Sequence, residues 1–345
     1  MNPRCLILVL VLAVCGAACT TSESPPEPEA APEDIVRQHL DAAREAAGSD
    51  HLFVLGQLCS GPIEAVNAAA PDITVPGALP ATDPEREWYT DPVQVFDDLF
   101  YLGQTQFSAW GLRTSEGIIV VDAIFDYSAE AEIIDGLERL GIDPGEIRYV
   151  IISHAHGDHS GGAGVLQQHG VQVVMSEADW DLYESNNSDD VVATRDIVAT
   201  DGMELALGDH VVRMYLTPGH THGTLSTILP VHDGGEEHVA ALWGGTLFNF
   251  RDAPDDPRLE RLATYAESAR RFRDVATGAG ADIILSNHPT YDGSTVRIPM
   301  LADRGEEDPH PYVIGNDGVR SYLTVAEECA EAALVAERDL TEEGQ

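Results

Sequence analysis

Residues 153–159 read Ser153-His154-Ala155-His156-Gly157-Asp158-His159, a dense run of imidazoles closed by a carboxylate and a further imidazole. Imidazole nitrogen suits zinc and a carboxylate oxygen can complete its shell, so the run has the donor chemistry of a metal site. The spacing matters as much as the composition. The run follows an apolar stretch, Tyr149–Ser153, that reads as a buried strand. Side chains two apart at a strand end share a face, so His154 and His156 can grip one ion together. Asp158 and His159 come further round the turn, where they can face a second ion. Small Ala155 and Gly157 allow a tight bend, and Gly161-Gly162 are expected to open the next helix. The competing reading is a histidine-rich surface loop.

Two more histidines occupy loop positions able to close such a site. His220 lies in Pro218-Gly219-His220-Thr221-His222-Gly223-Thr224, between two expected strands. His288 lies in Ser286-Asn287-His288-Pro289, directly after the strand Asp282–Leu285. Ligands in α/β proteins gather at such C-terminal strand ends. The remaining histidines, His39, His51, His169, His210, His232, His238 and His310, read as ordinary surface or packing residues.

The order HxHxDH, then GHT, then a strand-end His before Pro resembles the metallo-β-lactamase superfamily, over about Val93 to Asp292 with a C-terminal helix beyond. The resemblance implies an α/β fold, an αββα sandwich with metals in the groove at one edge of its sheets. Carried over by position, it implies His154, His156 and His220 on a first zinc ion and Asp158, His159 and His288 on a second, two per chain. Asp122 would support the site from behind. Asp158 would be the catalytic residue, orienting a hydroxide shared by the ions.

One departure from the pattern is informative. Many members, glyoxalase-type thioesterases among them, carry an Asp that bridges both metals. Gly245 stands in that place here, within Leu242-Trp243-Gly244-Gly245-Thr246-Leu247-Phe248, and Thr246 stands where first-subclass β-lactamases use a Cys. The ligand set that remains is similar to that of the third subclass of class B β-lactamases. First-subclass enzymes also hold the substrate carboxylate with a Lys, and this chain has no Lys. Thr246, Asn249 and Ser226 are therefore candidates to hold substrate, with His222 and Tyr291 as further ones. Gln104–Trp110 and Thr290-Tyr291 are candidate walls, although core packing is an equal reading for Phe107 and Trp110.

The implied activity is a zinc-dependent hydrolase acting on a small molecule, a β-lactam or related cyclic amide, with a place in antibiotic resistance. A lactonase or other esterase on the same metals is the alternative, and a metal-binding lipoprotein without turnover is a third. No Gly-x-Ser-x-Gly elbow suggests a side-chain nucleophile.

The elements that must position these residues alternate along the chain. Short strands are expected at Val93–Phe96, Phe100–Gly103, Ser108–Arg113 and Ile118–Asp122. Beyond them strands fall at Val171–Met175, His210–Leu216, Thr224–Pro230 and Val239–Trp243. Helices are expected at Asp34–Ala47, Leu52–Ala70, Ser128–Leu140, from Gly161, from Glu177, and at Pro257–Thr277 and Val319–Arg338. The order suits packed sheets with helices outside.

Charge and leader bound the setting. The chain has 59 Asp and Glu against 19 basic residues, all Arg, for a formal net charge of −40. Such a surface argues against nucleic acid and anionic lipid as partners and fits a saline habitat. Arg4, the apolar run Leu6–Val14 and Gly16-Ala17-Ala18-Cys19 read as a secretory leader, too short to span a membrane. The last four also resemble a bacterial lipobox, which would lipidate Cys19; ordinary cleavage after Ala18 is the alternative. The expected organisation is a signal peptide at 1–18, a disordered tether at 19–33, a helical N-terminal extension at 34–92 and a metallo-β-lactamase domain at 93–345. The expected product is an exported, periplasmic, lipid-anchored monomer. Cys59 and Cys329 are expected either to form one disulfide or to remain buried thiols.

Overall fold

The computed structural model describes residues 30–61, 88–186, 191–250, 256–305 and 308–343. Helices α1 (Pro32–Ala47) and α2 (Leu52–Leu58) come first. A first sheet follows, in the order β1 (Val93–Gln94), β2 (Leu99–Tyr101), β3 (Trp110–Thr114), β4 (Gly117–Val121), β5 (Ile147–Ile151), β6 (Gln172–Ser176) and β7 (Ile197–Ala199). Between its strands lie α3 (Asp126–Ala129), which passes through a π turn at Glu130–Ile134 into α4 (Asp135–Arg139), then α5 (Gly157–Ser160), α6 (Ala163–Gln168) and α7 (Glu177–Asn186). The second sheet is built from β8 (Met203–Leu207), β9 (His210–Leu216), β10 (Leu225–Asp233), β11 (Glu236–Trp243) and β12 (Ile283–Ser286), side by side in sequence order. Helices α8 (Arg258–Gly278), α9 (Ser294–Ala302) and α10 (Gly315–Glu343) complete the chain.

Side-chain alternation along the strands makes the layers. In β4, Ile118 and Val120 enter one apolar cluster while Ile119 and Val121 enter another. The first cluster is covered by Ile133, Leu137, Leu166 and Trp180 from the helices α4, α6 and α7 and the π turn. The second lies between the sheets, where Val121, Ile151 and Val174 meet Met214, Leu225, Leu242 and Leu285. On the far side of the second sheet, Ile228, Ala241 and Trp243 pack against Leu40, Tyr265, Phe272 and Tyr322 of α1, α8 and α10. The result is the αββα sandwich expected from the sequence, with β4 to β7 parallel and β8 to β11 antiparallel.

Several details differ from the sequence reading. Helix α1 starts at Pro32, inside the tether expected to run to residue 33; of the helix expected at Leu52–Ala70, α2 covers Leu52–Leu58, and residues 62–70 lie outside the described residues. Strands β7 and β8 and helix α9 were not anticipated. β7 has three residues, too few to show a period, and α9 contains Pro299, which reads locally as a helix breaker. Asp158 and His159 lie inside an unexpected helical turn, α5, and Gly161-Gly162 come after it, with Gly162 capping α6 as the opening of the next helix. A β-carbon on Gly162 would stand 2.2 Å from Ala123 O, so only glycine lets α5 and α6 approach the loop after β4 so closely. The leader 1–18, Cys19, most of the tether and residues 62–87 of the Pro-rich passage lie outside the described residues.

Cys59, at the end of α2, is bonded to Cys329 of α10 across 270 residues of sequence. Of the alternatives left open above, the disulfide is the one the structure shows. Closing so long a loop typically contributes about 2–5 kcal/mol, chiefly by restricting the unfolded chain. It fastens the N-terminal helices to the layer that backs the second sheet.

Candidate metal centre

The histidines meet at one edge, where strands of both sheets end. His154 and His156 follow β5, and His156, in extended backbone, caps α5, whose first turn carries Asp158 and His159. His220 comes from the loop between β9 and β10, and His288 from the turn after β12. Two ties hold these loops together. Leu225 N donates to Ser153 O at 2.7 Å, joining the sheets at the site. Asp179 of α7 accepts from Ala155 N at 3.1 Å, Thr221 Oγ1 at 3.0 Å and Gly223 N at 3.2 Å. Asp179 is absent from the sequence reading because an acidic residue in a helix's first turn is ordinary there.

The ring orientations are fixed by what backs each imidazole. His154 Nδ1–H donates to Gly244 O at 2.9 Å, His220 Nδ1–H to Leu247 O at 2.6 Å and His288 Nδ1–H to Gln106 O at 3.0 Å. Carbonyls only accept, so each proton sits on Nδ1 and each Nε2 carries a lone pair. Those of His154 and His220 face each other. His220 Nε2 stands 3.1 Å from His154 Nε2 and 3.1 Å from His156 Nδ1. Around a zinc ion with Zn–N of about 2.0–2.1 Å, a tetrahedral edge is about 3.3 Å. Lone pairs held this close without a proton between them repel, and a cation relieves that.

A second group lies beside the first: His154, Asp158 and His159 place donor atoms within 4.8 Å of one another. His159 Nε2 is buried, takes no hydrogen bond and faces Asp158 Oδ2 at 3.3 Å. His288 Nε2 is 4.0 Å from the same oxygen. Behind His159, Asp122 accepts from Nδ1 at 3.0 Å. Its carboxylate also accepts from Ser153 N at 2.6 Å and Ser153 Oγ at 2.9 Å. Asp122 adopts φ 65°, a left-handed conformation that Asp tolerates better than most residues. The residues present thus fit zinc, with an ionised carboxylate and oriented rings.

Electrostatics agree with the geometry. Burial, then the neighbouring imidazoles, hold His154 well below the usual histidine range, His220 at about 3 and His288 at about 4. Burial alone would also lower His159, but Asp158 and Asp122 outweigh it and raise that imidazole to about 10. The pair that holds this proton is the one a cation would take.

Around the donors is a cavity of about 560 Å³, lined by Phe107, Phe125, Thr246, Leu247, Asn249 and Tyr291 among others. Thr246, Asn249 and Tyr291 therefore stand where the sequence reading put them. Gln106 and Phe107 form a wall, whereas Trp110 is buried and donates to Ser286 O. Two expectations fail. Ser226 is fully buried, bonded to Thr217 Oγ1 at 2.8 Å and accepting from Gly244 N at 3.0 Å, so it braces the β10–β11 pair and is not among the lining residues. His222 is also outside the lining, half-exposed with Nε2 2.8 Å from Asp256. Asn287 went unnoticed in the sequence; its Nδ2 donates to Gly244 O at 2.7 Å and holds the backbone that orients His154. At Gly245 a β-carbon would lie 2.5 Å from His220 Cβ, so an Asp there would displace His220.

Comparison with known proteins agrees with this layout. Residues 102–233 match the Metallo-beta-lactamase superfamily. A probable polyketide biosynthesis zinc-dependent hydrolase of Bacillus velezensis is 31% identical over 122 residues, 35% of this chain and 48% of that protein, so the match spans about half of its length. An N-acyl homoserine lactonase of Bacillus thuringiensis is 28% identical over 217 residues, covering 54% of this chain and 82% of that one. Among solved structures, the subclass B3 metallo-beta-lactamase BJP-1 of Bradyrhizobium japonicum superposes with a TM-score of 0.60 at 23% identity, over 75% of this chain and 98% of that one. The family match over residues 102–233, the shared fold and a donor set that fits zinc all point the same way, to a region similar to the metallo-beta-lactamase superfamily.

Proposed function

We propose that the chain opens a β-lactam or a related cyclic amide, using two zinc ions held by His154, His156 and His220 and by Asp158, His159 and His288. The observation that carries this reading is that the donors are set and backed without any side chain at position 245, where none fits. Zinc held there would lower the pKa of a bound water towards neutrality and polarise the scissile carbonyl. The ionised Asp158 carboxylate accepts a hydrogen bond from the attacking water and aims it. Thr246 and Asn249 offer a hydroxyl and an amide to the substrate's polar groups, while Phe107, Phe125 and Leu247 keep the rest of the cavity apolar. No Ser or Cys is among the described lining residues, in keeping with attack by water.

One observation favours a second reading, a lactone or other ester. No Arg is among the described lining residues and the chain has no Lys, so a substrate carboxylate meets no cationic side chain. The experiment is hydrolysis of a chromogenic cephalosporin and of an N-acyl homoserine lactone by the zinc-loaded full chain, with a chelator control. Chelator-sensitive cephalosporin turnover is expected. Turnover of the lactone alone would replace the first reading by the second.

We also propose that the chain is exported and tethered through a lipidated Cys19. Mass spectrometry of the mature N-terminus is expected to find an acylated cysteine; an unmodified Cys19 at the new terminus would overturn the tether.

A further inference from the structure

A different cluster lies at the opposite end of β10. Asp98, in the turn between β1 and β2 of the first sheet, faces His210 at the start of β9 and His232 near the end of β10, both in the second sheet. Its backbone is pinned by Arg113 N, which donates to Asp98 O at 2.7 Å. Oδ1 accepts from His232 N at 2.9 Å. Oδ2 is left facing two imidazoles at once, His232 Nδ1 at 2.6 Å and His210 Nε2 at 2.9 Å.

The other nitrogen of His210 is also committed. Nδ1 stands 2.9 Å from Asp209 Oδ1, which itself accepts from Ser115 N at 2.9 Å. A neutral imidazole has one N–H for these two carboxylates. Serving both takes a second proton on the ring, and a divalent cation at Nε2 would stand in that proton's place. A carboxylate behind the far nitrogen of a ligating histidine is the usual backing of a metal-bound imidazole.

We infer that Asp98, His210 and His232 form a separate binding site for a zinc-like divalent ion that fastens the two sheets together. All three donor atoms lie within 4.8 Å of one another, a nitrogen–nitrogen–oxygen set suited to zinc. The side chains of His210 and Asp98 are only 5% and 13% exposed, while that of His232 is 34% exposed, so the site is anchored inside and open to water on one side. Binding requires the donors to spread from 2.6 and 2.9 Å towards a tetrahedral edge of about 3.3 Å, which the more exposed His232 ring permits. Leu225, tied to Ser153, begins the same strand that carries His232, so the site is roughly 23 Å along β10 from the hydrolytic centre. Holding one sheet to the other at the far edge is its role.

The test measures zinc per chain by elemental analysis, after equilibrium dialysis of the full chain against buffered free zinc. His232→Gln is expected to bind about one zinc fewer than the wild type with its hydrolysis rate unchanged. Asp98→Asn, which keeps an oxygen for His232 N, is expected to lose the same ion, so the result does not hang on one variant folding. His220→Gln should lose zinc from the hydrolytic centre and keep this one. Equal zinc in the wild type, His232→Gln and Asp98→Asn would overturn the site and leave a shared proton as the link between the three side chains; it would say nothing against the hydrolase reading, which His220→Gln tests separately.

Discussion

Replacing Asp158 by Asn is expected to leave the fold intact and to lower turnover by about 10²–10⁴-fold. The change keeps the size of the side chain and removes its charge. Burial would raise the Asp158 carboxyl, but His159 and then His288 outweigh it and hold it well below the usual carboxylate range, so the group is ionised throughout the neutral range. Its Oδ2 lies between the open nitrogens of those two histidines. A carboxylate in that position can ligate and also aim a water molecule, whereas an amide oxygen does the second poorly and the first weakly. The side chain is about a quarter exposed and has no part in the apolar clusters, so melting temperature should move little. Turnover, melting temperature and zinc content are to be measured together at saturating zinc. Turnover near the wild-type level with intact zinc would sink the assignment of Asp158.

How much of this was legible in the sequence follows from how local each signal is. The run His154 to His159 could be read because a strand end and a tight turn hold its spacing, and the structure keeps those donors within a few ångströms. His220 and His288 were found by resemblance. Alone, each is one histidine in a loop, and only the folded sheets bring them to His154 and Asp158. Asp179, Asn287 and the carbonyls of Gly244, Leu247 and Gln106 left no mark in the sequence, because a residue that orients another through space needs no particular spacing along the chain. Ser226 shows the opposite error. It has the right chemistry in the right stretch, but it lies on the helix-covered face of β10 with Ile228 and is consumed by Thr217 and Gly244 N. His210 and His232 read as ordinary for the same reason that Asp98 went unnoticed: 112 and 134 residues separate them from it.

Asp122→Asn is expected to weaken zinc at the Asp158–His159–His288 position by about 10–100-fold while the chain stays folded. The reason is a forced change of tautomer. Ser153 N–H donates to Asp122 Oδ1 at 2.6 Å, and a backbone N–H cannot turn round to accept. The new amide must therefore keep its oxygen towards Ser153 N and put its NH2 where Oδ2 now meets His159 Nδ1 at 3.0 Å. A donor in that place makes Nδ1 the acceptor and moves the imidazole proton to Nε2, the nitrogen that faces Asp158. An Nε2–H ligates nothing, so the ion loses one nitrogen with no loss of packing around Asp122. His154 and His220 take their orientation from backbone carbonyls, and the ion they share with His156 should bind as before. Competition with a graded zinc chelator would show one weakened ion beside one unchanged, and nitrogen NMR of His159 in the metal-free chain would show Nδ1 without the proton it carries in the wild type. Unchanged zinc affinity at both positions would mean that Asp122 braces Ser153 and does not set the tautomer of His159.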